Sequence, residues 1–249
     1  KVVQTASAVA LVALAQSGLA ATYYVDAASG NDSNAGSSNA PWASIVRAAN
    51  TITAGDTVYF RPGVYSGSNV QYWDNPALTI QSTGTASAPI RLIAESDGVI
   101  LDQGNTRAGI ILYGKSYIEI DGFEIRNARQ IGVYTADNSR SITVRNSHIH
   151  HIEGTFGSNP GGIRFDDCRN CKAIGNTIHD IMTDGQRWTG TAMDAAGIHS
   201  YDMSFAEIRN NVIYNTFHGI YHKRASGEKG ADIHSNIIHD VVQAATFGQ

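Results

Sequence analysis

Residues 118–127 read IEIDGFEIRN, and four later stretches echo them: ITVRNSHIHH at 142–151, KAIGNTIHD at 172–180, AEIRNNVIYN at 206–215 and ADIHSNIIHD at 231–240. Each holds an apolar residue, a short polar step and then Ile, and Asn recurs as Asn176, Asn211 and Asn236. A second element alternates with the first: Gly109-Ile110, Gly132-Val133, Gly162-Ile163, Gly197-Ile198 and Gly219-Ile220, at spacings of 23, 30, 35 and 22 residues. A base period near 22–25 residues, with two or three short strands in each, describes one coil of a parallel β-helix. Stacked coils place like over like, so the repeat predicts inward ladders such as Ile125, Ile149, Ile178, Ile213 and Ile238. Asn at a turn tolerates left-handed backbone angles and can bond its counterpart in the next coil. Two coils exceed the period, by EGTFGSNPG at 153–161 and MTDGQRWTGTAMDA at 182–195. Their Gly, Thr, Asp and Asn content predicts loops that leave the solenoid and wall a groove.

Composition agrees. Of 249 residues, 42% are hydrophobic and 16% charged, enough apolar material for one sizeable core. A net charge of −4 excludes an electrostatic nucleic-acid binder. Residues 1–21 hold the apolar run AVALVALA and then small residues, the layout of a secretory signal, too short for a membrane span. The expected product is secreted or displayed at the cell surface. Residues 22–107 are expected to supply the N-terminal cap and first coils, and 108–249 the repeats. The last repeat runs to Gln249 with no capping element after it, the expectation for a chain truncated at that end. Within the cap, Ser44 to Thr51 predicts a short helix with Ile45, Ala48, Ala49 and Ile52 on one face. Cys168 and Cys171 lack a second metal-binding pair, which leaves a local turn disulfide or two buried thiols. His150, His179, Tyr214 and His239 share one repeat slot, and a stacked polar ladder explains that better than a metal chain interrupted by Tyr.

Counting from each Gly as position zero places the side chains of one outer face. Position +2 holds Ile111, Tyr134, Arg164, His199 and Tyr221; position +4 holds Tyr113, Ala136, Asp166, Tyr201 and Lys223; position +5, near the turn, holds Gly114, Asp137, Asp167, Asp202 and Arg224. This face is acidic in its middle coils and basic in the last. Neighbouring Asp side chains repel unless a hard cation sits among them, and calcium suits several oxygen donors; the competing reading is solvated turn aspartates. Lys223 is a candidate base, its pKa lowered by Arg224 and the metal, against the plainer reading of a surface lysine. Arg164 and Arg187 are candidate carboxylate clamps, Trp188 a sugar platform, Tyr201 and Tyr221 further substrate contacts, and His199 a substrate contact or alternative base.

The opening segment, YYVDAASGNDSNAG at 23–36, PWASIVRAA at 41–49 and AGDTVYFRPGVY at 54–65, resembles secreted right-handed parallel β-helix proteins of the pectate lyase-like superfamily. It is most similar to polysaccharide lyase family 9, over roughly residues 22–249. The resemblance implies an all-β, single-stranded right-handed parallel β-helix with a short N-terminal helical cap. It implies calcium bound by one Asp and by a D-D-x-x-D cluster in the next coil, with a Lys about two coils on as base. Asp137, Asp166, Asp167 and Lys223 match, whereas Asn170 stands where the pattern wants Asp; Asp202, placed at the same turn position by the repeat count, is a further candidate metal ligand. The expected function is calcium-assisted β-elimination on an acidic, uronate-containing polysaccharide. A polygalacturonase-type hydrolase and a non-catalytic β-helix adhesin remain alternatives, because one fold hosts all three. The oligomeric state is not legible.

Overall fold

The structure, a computed structural model, describes residues 20–155, 157–186, 194–223 and 230–248. The expected signal segment lies outside the described residues apart from its last two positions.

The described chain coils into a parallel β-helix with three walls. Wall A is a nine-stranded sheet running from Thr22–Val25 through Thr57–Phe60, Ile90–Ala94, Ser116–Asp121 and Ser139–Arg145 to Ser204–Arg209 and Gly230–His234. Walls B and C share an eleven-stranded sheet that folds at a corner. The 12-residue strand Val212–Lys223 shows the corner directly. Its first half pairs with Thr177–Thr183 on wall B, and its second half with Ala196–Tyr201 on wall C.

Register delivers the ladders. Ile125, Ile149, Ile178, Ile213 and Ile238 are consecutive partners on wall B, continued upstream by Leu101. Val58, Leu92, Ile120, Val144, Ala173, Ile208 and Ile233 form the facing ladder on wall A. Ile110, Val133, Ile163, Ile198 and Ile220 form the third, on wall C.

The recurring glycines have a steric cause. A Cβ on Gly162, Gly197 or Gly219 would lie 2.5, 2.4 or 2.5 Å from the Cγ2 of Ile178, Ile213 or Ile238. Each coil therefore turns from wall B to wall C over an isoleucine methyl that leaves no room for a side chain.

The polar step behaves differently from expectation in one respect. Left-handed backbone falls on Gly122, Asn146, Gly175, Asn210 and Ser235, one residue before Phe123, Ser147, Asn176, Asn211 and Asn236. The left-handed residue turns the chain so that the next side chain enters the solenoid. There Asn176 donates to the Asn211 side-chain oxygen at 3.0 Å, and Asn211 to that of Asn236 at 2.9 Å. Asn211 also donates to the Ala173 carbonyl and accepts from the Asn176 backbone N–H, so its buried amide is satisfied at both ends.

Helix Ile45–Thr51 closes the N-terminal end with Ile45, Ala48, Ala49 and Ile52 buried. Ser44 caps it, accepting from the Arg47 N–H. Cys168 and Cys171 are joined by a disulfide across a wall A turn. His150, His179, Tyr214 and His239 stack face to face, with ring centroids 5.0, 4.5 and 5.0 Å apart.

Ile178→Ala should cost ~2–5 kcal/mol of unfolding free energy. Gly197→Ala should cost ~1–3 kcal/mol through overpacking. Chemical denaturation of Gly197→Ala, Ile213→Ala and the double variant should show the pair less destabilised than the sum. Strict additivity would show that the isoleucine methyl does not dictate the glycine.

Candidate active site

The outer side of wall C carries the groove. Strands Ile131–Ala136, Gly161–Asp166 and Ala196–Tyr201 and the second half of Val212–Lys223 align Tyr134, Arg164, His199 and Tyr221 in one column. Asp166, Tyr201 and Lys223 are consecutive partners in the next.

This face is more covered than the sequence predicts. Ile111 is 1% exposed and Tyr134 9%. The cause is an antiparallel hairpin, Val70–Tyr72 with Asn75–Ala77, which lies over the first coils. Tyr72 and Ala77 join Ile111, Ile131, Tyr134 and Ala136 in an apolar cluster separate from the solenoid core. At the hairpin tip Trp73 is 76% exposed. A cleft of about 330 Å³ opens between this hairpin and the loop before Gly161, lined by Tyr72, Trp73, Arg129, Gln130, Tyr134 and Arg164 among others. Repeat counting missed Tyr72, Trp73, Arg129 and Gln130, although the Trp73-Asp74-Asn75-Pro76 step between short apolar stretches is a hairpin signal.

The two long coils do wall the groove. Asp194 accepts from the N–H groups of Gly157 and Asn159 and from the Thr183 hydroxyl, tying one insertion to the other. Gln130 donates to the Ser158 carbonyl at 3.0 Å from the wall below.

Arg164 and Asp166 point the same way along one strand and form an ion pair, with the Arg164 Nη2 2.7 Å from the Asp166 Oδ2. The Tyr134 hydroxyl donates to the same oxygen at 2.9 Å. The guanidinium lies 5.2 and 5.1 Å from the ring centroids of Tyr134 and Tyr201. Burial, and for Tyr134 the Asp166 charge, push both phenols above their ordinary range, so they act as hydrogen-bonding groups and not as bases.

His199 does not offer a free ring to the groove. It is 1% exposed. Its Nε2 lies 3.1 Å from the Pro160 carbonyl, and its Nδ1 lies 2.9 Å from the Tyr201 hydroxyl. The carbonyl only accepts, so Nε2 donates and Nδ1 accepts from Tyr201. Burial, then the Arg164 charge, lower its pKa to about 3. The ring thus holds the loop end and Tyr201 in place.

The +5 column lies on a left-handed edge, with φ of 58° at Asp137, 43° at Asp167 and 51° at Asp202, and Asn170 follows at 57°. Asp167, Asn170 and Asp202 line a second cleft of about 460 Å³ beside Asn138 and Arg140. Asp167 accepts from the Asn138 N–H at 2.8 Å. Asp166 is committed to Arg164 and Tyr134 and does not line this cleft. Among the described residues, Asp137, Asp166, Asp167 and Asp202 supply no trio of carboxylates within 4.8 Å of one another. Their chemistry still fits calcium: all donors are oxygens, and carboxylates on successive rungs favour a cation between them. Lys223 is exposed at the end of its strand. Arg187, Trp188 and Arg224 lie outside the described residues.

A family model for the Pel9A-like, right-handed beta helix region matches residues 23–199. The chain belongs to this Pel9A-like family of right-handed β-helices. It is 36% identical over 151 residues to pectate lyase PEL9 of Emericella nidulans, covering 52% of this chain and 34% of that protein. It is 26% identical over 140 residues to the uncharacterized protein YwoF of Bacillus subtilis, covering 51% and 28%. The crystal structure of pectate lyase Pel9A superposes with a TM-score of 0.66 at 20% identity, covering 82% of this chain and 50% of that one. The chain therefore spans about a third of the curated relatives it matches and half of the solved structure.

The state of His199 sets an acid limit. Its folded pKa, about 3, lies below the ordinary 6.5 of the unfolded chain. Below about pH 6.5 the unfolded state gains a proton that the folded state refuses, so stability falls with falling pH down to about 3, by ~1.4 kcal/mol per pH unit per group. Thermal melts of His199→Gln across this window should show a shallower acid loss than the parent. Parallel acid limbs would sink the assignment.

Proposed function

We propose that this Pel9A-like chain is the β-helical part of an extracellular polysaccharide lyase that cleaves a uronate polymer by β-elimination. One observation carries the reading: Asp166, Tyr201 and Lys223 stand on consecutive rungs of the groove wall, with Lys223 exposed. Coils stack ~4.8 Å apart, so the first and last of these rungs are ~10 Å apart at the backbone, a gap that side chains reaching from both rungs narrow to about the width of one sugar ring.

The chain's own groups divide the work. Trp73 offers exposed aromatic surface at the end of the cleft where a sugar can lie flat, backed by the buried Tyr72. Arg164, fixed by Asp166 and two tyrosine faces, lines the cleft and offers N–H donors to substrate oxygens. Asp137, Asp167 and Asn170, with Asp166 and Asp202 nearby, would hold calcium; when bound, it neutralises the uronate carboxylate and makes the C5 proton acidic. Lys223 takes that proton through Nζ. The C5–H electron pair becomes the C4=C5 double bond, the C4–O bond breaks, and the leaving oxygen takes a proton from water.

The test is a screen of polyuronates with calcium or chelator, followed by the ultraviolet absorbance of the unsaturated product. Lys223→Ala should remove turnover while leaving the melt unchanged, and Lys223→Arg should not restore it, because Arg holds its proton. Asp167→Ala should raise the calcium concentration needed for half-maximal rate by tenfold or more, a scale taken from losses at metal sites. A fully active Lys223→Ala protein removes the assignment of the base. Inactivity on every polyuronate favours the binding-scaffold reading.

A further inference from the structure

Wall B carries a second constellation, away from the groove. Glu124 pairs with His148, and Arg126 with His150 and then His179, across three successive coils. The ligating atoms of Glu124, His148 and His150 all lie within 4.8 Å of one another. His150 Nε2 is 3.3 Å from Glu124 Oε1, and His148 Nε2 is 2.7 Å from His179 Nε2.

Ring stacking accounts for part of this arrangement. The column His150, His179, Tyr214 and His239 repeats because imidazole and phenol faces pack at the coil spacing. Glu124 and His148 belong to another column, whose later members are Thr177, Val212 and Ile237. His148 packs against the rings of His150 and His179, with centroids 4.3 and 4.9 Å away, but ring packing does not call for the carboxylate of Glu124. The lone pairs of Glu124, His148 and His150 converge at one point of this wall.

We propose that Glu124, His148 and His150 form a binding site for a zinc-class divalent transition metal, with solvent completing its coordination. Two imidazoles with one carboxylate are borderline donors that suit Zn²⁺ and are poor for calcium, which takes oxygens. His148 is exposed, so the ion has a path from solvent. Arg126 donates to Glu124 Oε1 at 2.8 Å and opposes the ion, but it also holds Asp102 through its Nε at 2.8 Å, so it keeps an anionic partner when Glu124 turns to the metal. His151 Nδ1 contacts His150 Nδ1 at 2.5 Å and fixes the ring that presents Nε2. The bound ion would tie two coils together through side chains, and binding to the folded state alone raises stability by mass action. The site is independent of the lyase reading.

The test uses tag-free, chelator-treated protein titrated with Zn²⁺ alone by calorimetry, with Co²⁺ as a visible-absorption probe of coordination. One equivalent of Zn²⁺ should bind and raise the melting temperature, and Ca²⁺ should not compete. His148→Gln and Glu124→Gln should each weaken Zn²⁺ at least about tenfold, a scale taken from metal-site variants. His239→Ala, in the stacked column but outside the cluster, should bind as the parent does. The exposed position of His148 keeps its variant foldable, checked by an unchanged melt without metal. Absence of stoichiometric Zn²⁺ binding, or unchanged affinity in a folded His148→Gln protein, overturns the site.

Discussion

A side chain on a wall strand of this solenoid meets the residue at the same position one coil away, at the ~4.8 Å spacing of hydrogen-bonded strands. That proximity decides which residues can occupy a column. Isoleucine on isoleucine excludes water, asparagine on asparagine exchanges donor for acceptor, and imidazole on phenol stacks. Carboxylate on carboxylate is the arrangement that the spacing opposes, and the groove wall handles it in two ways. Asp166 is neutralised within its own strand by Arg164 and has Tyr201 on the rung after it. Asp137, Asp167 and Asp202 stand on the exposed edge, where water and a backbone N–H moderate their charge.

The same constraint explains what could be read from the sequence. The Ile ladder, the Gly column and the capping helix rest on contacts that every coil repeats, so each repeat states them again. The position of the left-handed residue was harder to see. Asn210 and Asn211 are adjacent and chemically identical, and only the direction of the chain entering the solenoid decides which one takes the positive φ and which turns inward. The hairpin at 70–77 has no counterpart in other coils, so periodicity was silent about it, although its local turn residues were not.

For the site, counting from glycine placed Asp166, Tyr201 and Lys223 in one column and Arg164 and His199 in another, as the strand register has them. Burial was the part that did not follow. His199 loses its access because Pro160 lies over it, and Pro160 belongs to an insertion whose path no repeat dictates. The Arg164–Asp166 pair was legible in principle, since residues two apart on a strand share a side.

The insertions at the wall B–wall C corner separate two design variables. Strand His148–Gly154 ends and Gly161–Asp166 begins at that corner, as do Thr177–Thr183 and Ala196–Tyr201 one coil on. Lengthening such an excursion leaves each anchored end in place, and doubling it costs only ~0.6 kcal/mol of closure entropy. Coil number therefore sets how many subsites a polymer chain can span, whereas excursion length sets how deep the channel around it is. A lineage built on this scaffold can retune the second without renegotiating the first, so divergence among its members should concentrate in the length of these two segments.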